Sequence, residues 1–229
     1  MCGRFYLDVP KDELMAHYGV QTEPGLSSTQ FNIAPSQDIL AIRTIVGDNR
    51  TISNLHWGLI PSWSKEEKTH YSMINARADT VASKPAYRVA FKRRRCLIPV
   101  SGFYEWHKEG DHKQPYAITM KNHGDNNTTL FSLAGIWEHW QNKEGKVIES
   151  CSIIVTDANA ALKPIHDRMP VILDPESYST WLDPENEDTD RLSALLTPYP
   201  DTFMKAYPVS PHMNNPSYNE QECIKPVEI

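Results

Sequence analysis

Long apolar runs are missing from this chain of 229 residues. Its longest uncharged apolar stretches, such as Ile153-Ile154-Val155 and Pro170-Val171-Ile172-Leu173, fall far short of the roughly 20 residues that a membrane-spanning helix needs. The N-terminus lacks a basic segment followed by an apolar one, so no signal peptide is expected. Cysteine is scarce: Cys2, Cys96, Cys151 and Cys223 lie far apart and form no CxxC pair. That spacing excludes a zinc ribbon and a dense disulfide framework. HExxH is missing and no second histidine follows His166 at the fourth position, so metal binding is not expected. Positive charge is also in deficit, with 23 Lys and Arg against 29 Asp and Glu for a net charge of −6, which argues against nonspecific coating of nucleic acid. The expectation is a soluble, reduced, cytoplasmic protein with no membrane partner.

What is present is an ordinary globular composition, 40% hydrophobic and 23% charged, in a chain long enough for a real core. No repeat and no low-complexity linker divides it, so a single domain over 1–229 is expected. The seventeen prolines favour short elements and many turns. Lys11 to Tyr18 reads as a helix with Asp8 as a plausible cap. Ile39 to Val46 and Thr51 to Trp57 read as a hairpin, and Cys96 to Val100, Phe103 to Trp106, Tyr116 to Met120 and Leu130 to Ile136 as successive strands. Ser152 to Thr156 is the clearest buried strand. Ala158 to Leu162, Pro175 to Leu182 and Thr189 to Leu196 read as helices, and Phe203 to Val209 as a late strand. Beyond about Asn214 the periodicity weakens, and a loosely packed tail over about 215–229 is expected. Many strands with interspersed short helices predict an α+β fold with a mostly antiparallel, curved, barrel-like β core and peripheral helices.

Cys2 is the most informative residue. Loss of Met1 would leave a terminal cysteine, with an amine and a thiol on adjacent carbons. That amine has an ordinary pKa of about 7.7–8.0 and the thiol about 8.5, so both reactive forms exist at neutral pH. Such a pair can take an aldehyde first as a Schiff base and then as a thiazolidine. The alternative is a small buried residue that merely permits methionine removal.

Four further segments suggest chemistry. In Ile74-Asn75-Ala76-Arg77-Ala78-Asp79-Thr80, Asn75 can donate and accept while Arg77 can grip a phosphate; a surface turn is the alternative. In Ser101-Gly102-Phe103-Tyr104-Glu105-Trp106, a carboxylate among aromatics would be desolvated and its pKa raised; an edge-strand Glu facing water is the alternative. In Ile165-His166-Asp167-Arg168-Met169-Pro170, His166 can titrate near neutrality, or cap a turn. In Trp57-Gly58-Leu59-Ile60-Pro61-Ser62-Trp63, Trp63 is the candidate for an exposed stacking platform and Trp57 for the core. The run from Lys84 to Arg95 carries Lys84, Arg88, Lys92, Arg93, Arg94 and Arg95 with no acidic residue, which fits a phosphate footprint or a solvated face equally well.

These segments, with Met1-Cys2-Gly3-Arg4-Phe5 and Phe31-Asn32-Ile33-Ala34-Pro35, follow one another in an order that resembles the SRAP family, the SOS-response-associated peptidase proteins. Bacterial and animal members of that family shield abasic sites in single-stranded DNA. The resemblance runs from Cys2 to about Asn215. It implies that mature Cys2 crosslinks the ring-opened sugar as a thiazolidine, that Glu105 and His166 move protons, and that Asn75 holds the sugar or Cys2 in register. It implies DNA contacts from Arg4, Arg77, Trp63, Trp106, Asn32 and Pro35, weak lyase activity, and release of Met1 by self-processing or by methionine aminopeptidase. No cofactor and no metal are implied, and a monomer is expected. The chain departs from the family at Trp63-Ser64, where a second tryptophan is lacking, and at Val209 to Asn214, which matches the closing motif only loosely. Two other readings stand beside this one: a non-catalytic single-strand binder built on Trp63, Arg77 and the Arg93 to Arg95 cluster, and a glutaminase-type hydrolase with Cys2 as nucleophile.

Overall fold

The computed structural model describes residues 2–21, 25, 27–44, 49–67, 73–110, 112–121 and 130–228. In chain order the elements are β1 (Phe5–Asp8), α1 (Lys11–Tyr18), β2 (Thr29–Ile33), β3 (Asp38–Thr44), β4 (Arg50–Trp57), β5 (Asn75–Arg77), α2 (Arg88–Arg93), β6 (Arg95–Val100), β7 (Gly102–Glu109), β8 (His112–Met120), β9 (Phe131–Gln141), β10 (Val147–Asp157), β11 (Arg168–Pro170), β12 (Ile172–Leu173), α3 (Tyr178–Leu182), α4 (Thr189–Ser193) and β13 (Met204–Pro208).

The strands form two layers. Strands β10, β4, β3, β6 and β9 hydrogen-bond in that order, and β9 pairs back onto β10, so the ring closes into a barrel. Every junction is antiparallel except β10 with β4, which makes the barrel mixed. Closure removes the exposed edges that an open sheet would leave. Gly135 permits it, because a Cβ there would lie 2.8 Å from Cys96 Sγ in the facing strand. Short β5 joins the rim by pairing parallel to β10, with Asn75 opposite Ile153. The second layer is a curved antiparallel sheet in the order β13-β8-β7-β1-β2. Here Gly102 faces Tyr6 across β1 and β7, and any side chain would strike the tyrosine ring.

The main core fills the barrel and the space between the layers, with Phe5, Leu7, Trp57, Phe91, Phe103 and Ile153 all buried. A second, smaller cluster of Tyr6, Tyr104, Ala117, Val209, Met213 and Cys223 lies on the opposite face of the sheet. The alternation of buried side chains along β7, Phe103 to one core and Tyr104 to the other, follows from the two-residue period of a strand.

Helix α1 occupies the expected residues and ends at Gly19, whose φ of 65° lets its N–H reach the carbonyls of Ala16 and Met15. Its N-cap position is Pro10, and Asp8 lies within β1. Residues 159–166 form hydrogen-bonded turns where a helix over 158–162 was predicted, because Asn159 folds its own side chain onto the Leu162 N–H. The strand predicted to reach Val46 is described as far as Thr44, and residues 45–48 lie outside the described residues. The 75–77 strand and α2 had no clear periodicity in the sequence.

The chain beyond Asn214, expected to pack loosely, is tied to the sheet. Asn219 Oδ1 accepts from the N–H groups of Phe31 at 2.7 Å and Asn32 at 3.0 Å. Cys223 is buried, and Val209 bridges to Pro226. Side-chain to backbone bonds of this kind leave no hydrophobic period to read.

Candidate active site

Cys2 lies where the sheet meets the barrel rim. It precedes β1, which threads between β7 and β2, so the sheet fixes its approach. Tyr104 N–H bonds to the Arg4 carbonyl at 2.9 Å, pinning residues 2–4 along β7. From the barrel side, Asn75 Nδ2 donates to the Cys2 carbonyl at 2.8 Å. The Asn75 carbonyl accepts from Tyr87 OH at 3.2 Å, which holds the asparagine's backbone in turn. Its Oδ1 is buried with no hydrogen-bond partner among the described residues. A buried carbonyl oxygen left this way costs about 1–3 kcal/mol, so its persistence points to a ligand group.

Glu105, on β7, is only 3% exposed. Burial raises its carboxyl from the ordinary 4.5 to about 7. Burial also pushes the Cys2 thiol well up, and the nearby Glu105 charge pushes it further, so the thiol is protonated at neutral pH. His166 sits in the connection between β10 and β11, closed at its base by the Ala158 N–H bonding to the Asp167 carbonyl at 3.0 Å. His166 Nδ1 lies 3.0 Å from the Arg168 N–H and 3.3 Å from the Arg168 carbonyl, so the Arg168 backbone holds the ring through that nitrogen. Burial lowers the imidazole pKa below its usual value, which keeps the ring neutral. Glu105 and His166 line one cleft of about 360 Å³ together with Trp106, Lys108 and Lys113. The indole N–H of Trp106 donates to Asn214 Oδ1 at 2.7 Å, which fixes the ring.

Cys2, Asn75, Glu105 and His166, 164 positions apart at the extremes, thus converge on one place. The expected DNA contacts are more dispersed. Trp63 stands 67% exposed, whereas Trp57 is fully buried. Arg77 is exposed and carries a two-pronged ion pair with Asp79, one arm at 3.0 Å. It borders a small surface depression of about 60 Å³ that also includes Arg168 and Asp157. Arg4 and Asn32 are buried and face the C-terminal segment: Arg4 donates to Asn32 Oδ1 at 2.7 Å and to the Met213 carbonyl at 2.9 Å. Asn32 Nδ2 reaches the carbonyls of Met213, Asn215 and Tyr218. Pro35 is half-buried at the start of the turn between β2 and β3, where Ser36 adopts a left-handed φ of 68° and its N–H bonds to the Trp57 carbonyl at 2.9 Å. Met1 lies outside the described residues.

The arginine cluster is not an open cationic face. Arg93 pairs with Glu187 at 2.7 Å, Arg94 pairs with the buried Glu138, and Arg95 is itself buried. Lys108 and Lys113 escaped the sequence reading. The signal was available: Gly110 opens the two-residue break between Glu109 and His112, a turn that sets Lys108 opposite Lys113. Among the described residues no group of three or more His, Cys, Asp or Glu side chains is arranged to hold a metal ion, and no helix is long and apolar enough to cross a membrane.

A two-layer fold with an N-terminal cysteine at the seam matches one family over most of the chain. Residues 1–216 match the SOS response associated peptidase (SRAP) family, and the chain belongs to it. It is 42% identical over 228 residues to the abasic site processing protein YoqW of Bacillus subtilis (strain 168), covering 98% of this chain and 99% of that one. It is 32% identical to the abasic site processing protein HMCES of Mus musculus, covering 100% of this chain and 77% of that protein. A crystal structure of a protein from Bacteroides thetaiotaomicron superposes with a TM-score of 0.87 at 29% identity, covering 99% of this chain and 100% of the other.

Proposed function

We propose that this chain captures abasic sites in single-stranded DNA as a covalent adduct on Cys2. Release of Met1, by the chain itself or by a methionine aminopeptidase, exposes an α-amine that is partly unprotonated at neutral pH. The amine attacks the aldehyde carbon of the ring-opened abasic sugar, water leaves, and an imine forms. The Cys2 thiol then adds across the C=N bond: sulfur bonds to carbon, the proton passes to nitrogen, and a five-membered thiazolidine closes. No cofactor enters this sequence, and one chain holds every group it needs.

The observation that carries this reading is the Glu105 carboxyl, raised to about 7 beside a buried, protonated Cys2 thiol. A group balanced near neutrality can protonate the departing hydroxyl and later take up a proton from sulfur. His166, held by the Arg168 backbone through Nδ1, is suited to move a proton at the sugar ring oxygen as the ring opens. Asn75 holds the Cys2 carbonyl through Nδ2, and its buried Oδ1 is suited to accept from the new terminal amine or a sugar hydroxyl. Imine that sulfur does not capture can lose a sugar C2 proton and expel the 3′-phosphate, which gives weak lyase activity. Trp63 and Trp106 offer stacking surfaces for neighbouring bases. Arg77 grips a phosphate by exchanging its carboxylate partner Asp79 for it. Arg4 and Asn32 act by anchoring the C-terminal segment, through the carbonyls of Met213, Asn215 and Tyr218. The names of the relatives, abasic site processing proteins, support the same substrate. Within the Arg93 to Arg95 cluster, Arg95 is buried and Arg94 pairs with buried Glu138, so the purely electrostatic single-strand binder keeps from it only the exposed Arg93, itself in a surface ion pair with Glu187.

Incubating the purified protein with single-stranded DNA bearing one abasic site, then resolving it on a denaturing gel, tests the proposal. A slower band that survives heating, and that Cys2→Ala abolishes, is expected. Wild-type protein shown by mass to lack Met1 yet giving no such band would overturn it.

A further inference from the structure

Lys108 on β7 and Lys113 on β8 are direct cross-strand partners, both exposed. Residues so paired share a face of the sheet with their Cβ atoms about 4.5–5.5 Å apart, and like charges there oppose each other. Neither lysine has an ion pair among the described residues to offset that repulsion. Both instead line the cleft that holds Glu105, Trp106 and His166. Trp106 lies two residues from Lys108 on the same face of β7, its ring held by Asn214. Two adjacent cations with no ion-pair partner among the described residues, a fixed aromatic ring and an acid–base pair in one cleft form an arrangement that a bound phosphate would complete.

We infer that Lys108 and Lys113 form a two-lysine clamp for a backbone phosphate of the nucleotide strand next to the reacting sugar. The inference rests on the reading of the cleft as the site of abasic-DNA capture. Three strand positions separate Glu105 from Lys108, about 10 Å along β7 and within about three stacked nucleotides of a single strand; the odd count turns the two side chains to opposite faces of β7, and the cleft that both line reaches round the strand. The strand therefore leaves the reaction centre across the Trp106 ring, with a phosphate held between the two ammonium groups. This explains why the hairpin keeps a like-charge pair that its own fold does not use.

The test is the salt dependence of binding. Lys108→Gln/Lys113→Gln and Lys108→Arg/Lys113→Arg double variants are compared with wild type on a fluorescent single-stranded oligonucleotide with an abasic site, in a Cys2→Ala background so that only reversible binding is read. Loss of the one clamped phosphate makes the slope of log K against log salt shallower by about 0.7 in the Gln variant, while the Arg variant keeps the wild-type slope. Thermal melting of the Gln variant at or above that of the parent is also expected, since a repulsive pair has been removed. An unchanged slope in the Gln variant, with wild type still crosslinking abasic DNA, would overturn the clamp alone. Failure of wild type to crosslink would overturn the reading of the cleft itself.

Discussion

Arg95 and Glu105 are buried to the same degree, each 3% exposed, yet the fold treats them in opposite ways. Arg95 is surrounded by carbonyl oxygens: those of Trp181 at 2.6 Å, Phe91 at 2.8 Å and Asn186 at 3.1 Å, together with those of Lys92 and Asp183. Burial lowers its pKa to about 10, still far enough above neutrality to keep the guanidinium charged. It ties α2, β6 and α3 together at the closed end of the barrel. Glu105 sits at the open seam, and the cost of burying its charge is expressed as a carboxyl that titrates near pH 7. The difference separates a buried charge used as a fastener from one that the proposed function uses as an acid–base group. Where hydrogen-bond partners saturate the ion, it is fixed; where burial is left to act on the proton, the group is poised.

Removing the fastener has the largest expected effect. Arg95→Ala strands five carbonyl oxygens and lowers unfolding stability by about 3–5 kcal/mol, read by denaturant titration. A loss under 1 kcal/mol would mean that water replaces the guanidinium cheaply and would erase the contrast.

Glu105 leaves its mark on pH dependence instead. Between about pH 4.5 and 7 the folded chain keeps a proton on Glu105 that the unfolded chain has released. Stability therefore falls as pH rises through that window, by up to about 3 kcal/mol, and levels off above it. Glu105→Gln flattens this part of the profile, and superimposable wild-type and variant profiles would contradict the assignment. His166 bears oppositely on the acid side: its lowered pKa makes stability fall as pH drops below the ordinary imidazole value of about 6.5.

On the chemistry, Glu105→Gln slows adduct formation about 100-fold at pH 7 and removes a limb with apparent pKa near 7 from the pH–rate profile. A slowed variant that keeps that limb would assign it to another group. The smallest effect belongs to Asn214→Ala, which frees the Trp106 ring at a cost of about 1 kcal/mol and slows adduct formation by only a few-fold.

How much of this was legible in the sequence depends on how far each feature relies on its neighbours. Helix α1 could be read because Leu14, Met15 and Tyr18 recur at helical spacing, although its proposed cap, Asp8, lies in β1. The buried strand around Ile153 could be read from an unbroken apolar run. The candidate catalytic residues were visible only through the order of their motifs, since nothing local tells Asn75 that the Cys2 carbonyl will lie 2.8 Å away. Barrel closure was suggested by strand count alone; the β9–β10 pairing that accomplishes it, and the parallel β10–β4 contact, are long-range facts. The basic run from Lys84 to Arg95 is a surface over Lys84, Arg88, Lys92 and Arg93, which are exposed, but charge in a sequence does not reveal that Arg94 will meet the buried Glu138 or that Arg95 will be buried against the Trp181 carbonyl. The tail was misjudged for a similar reason: it is held by Asn32, Asn219 and Arg4 through backbone groups that carry no sequence identity.

The most direct test of the account is the intact mass of the adduct formed with an abasic oligonucleotide, followed by peptide mapping. The account predicts the mass of the chain without Met1 plus the DNA minus one water, with the modification confined to the Cys2 peptide and unchanged in mass by borohydride, which would add two hydrogens to an open imine. A modification mapped to a lysine, or an adduct on protein that retains Met1, would contradict it.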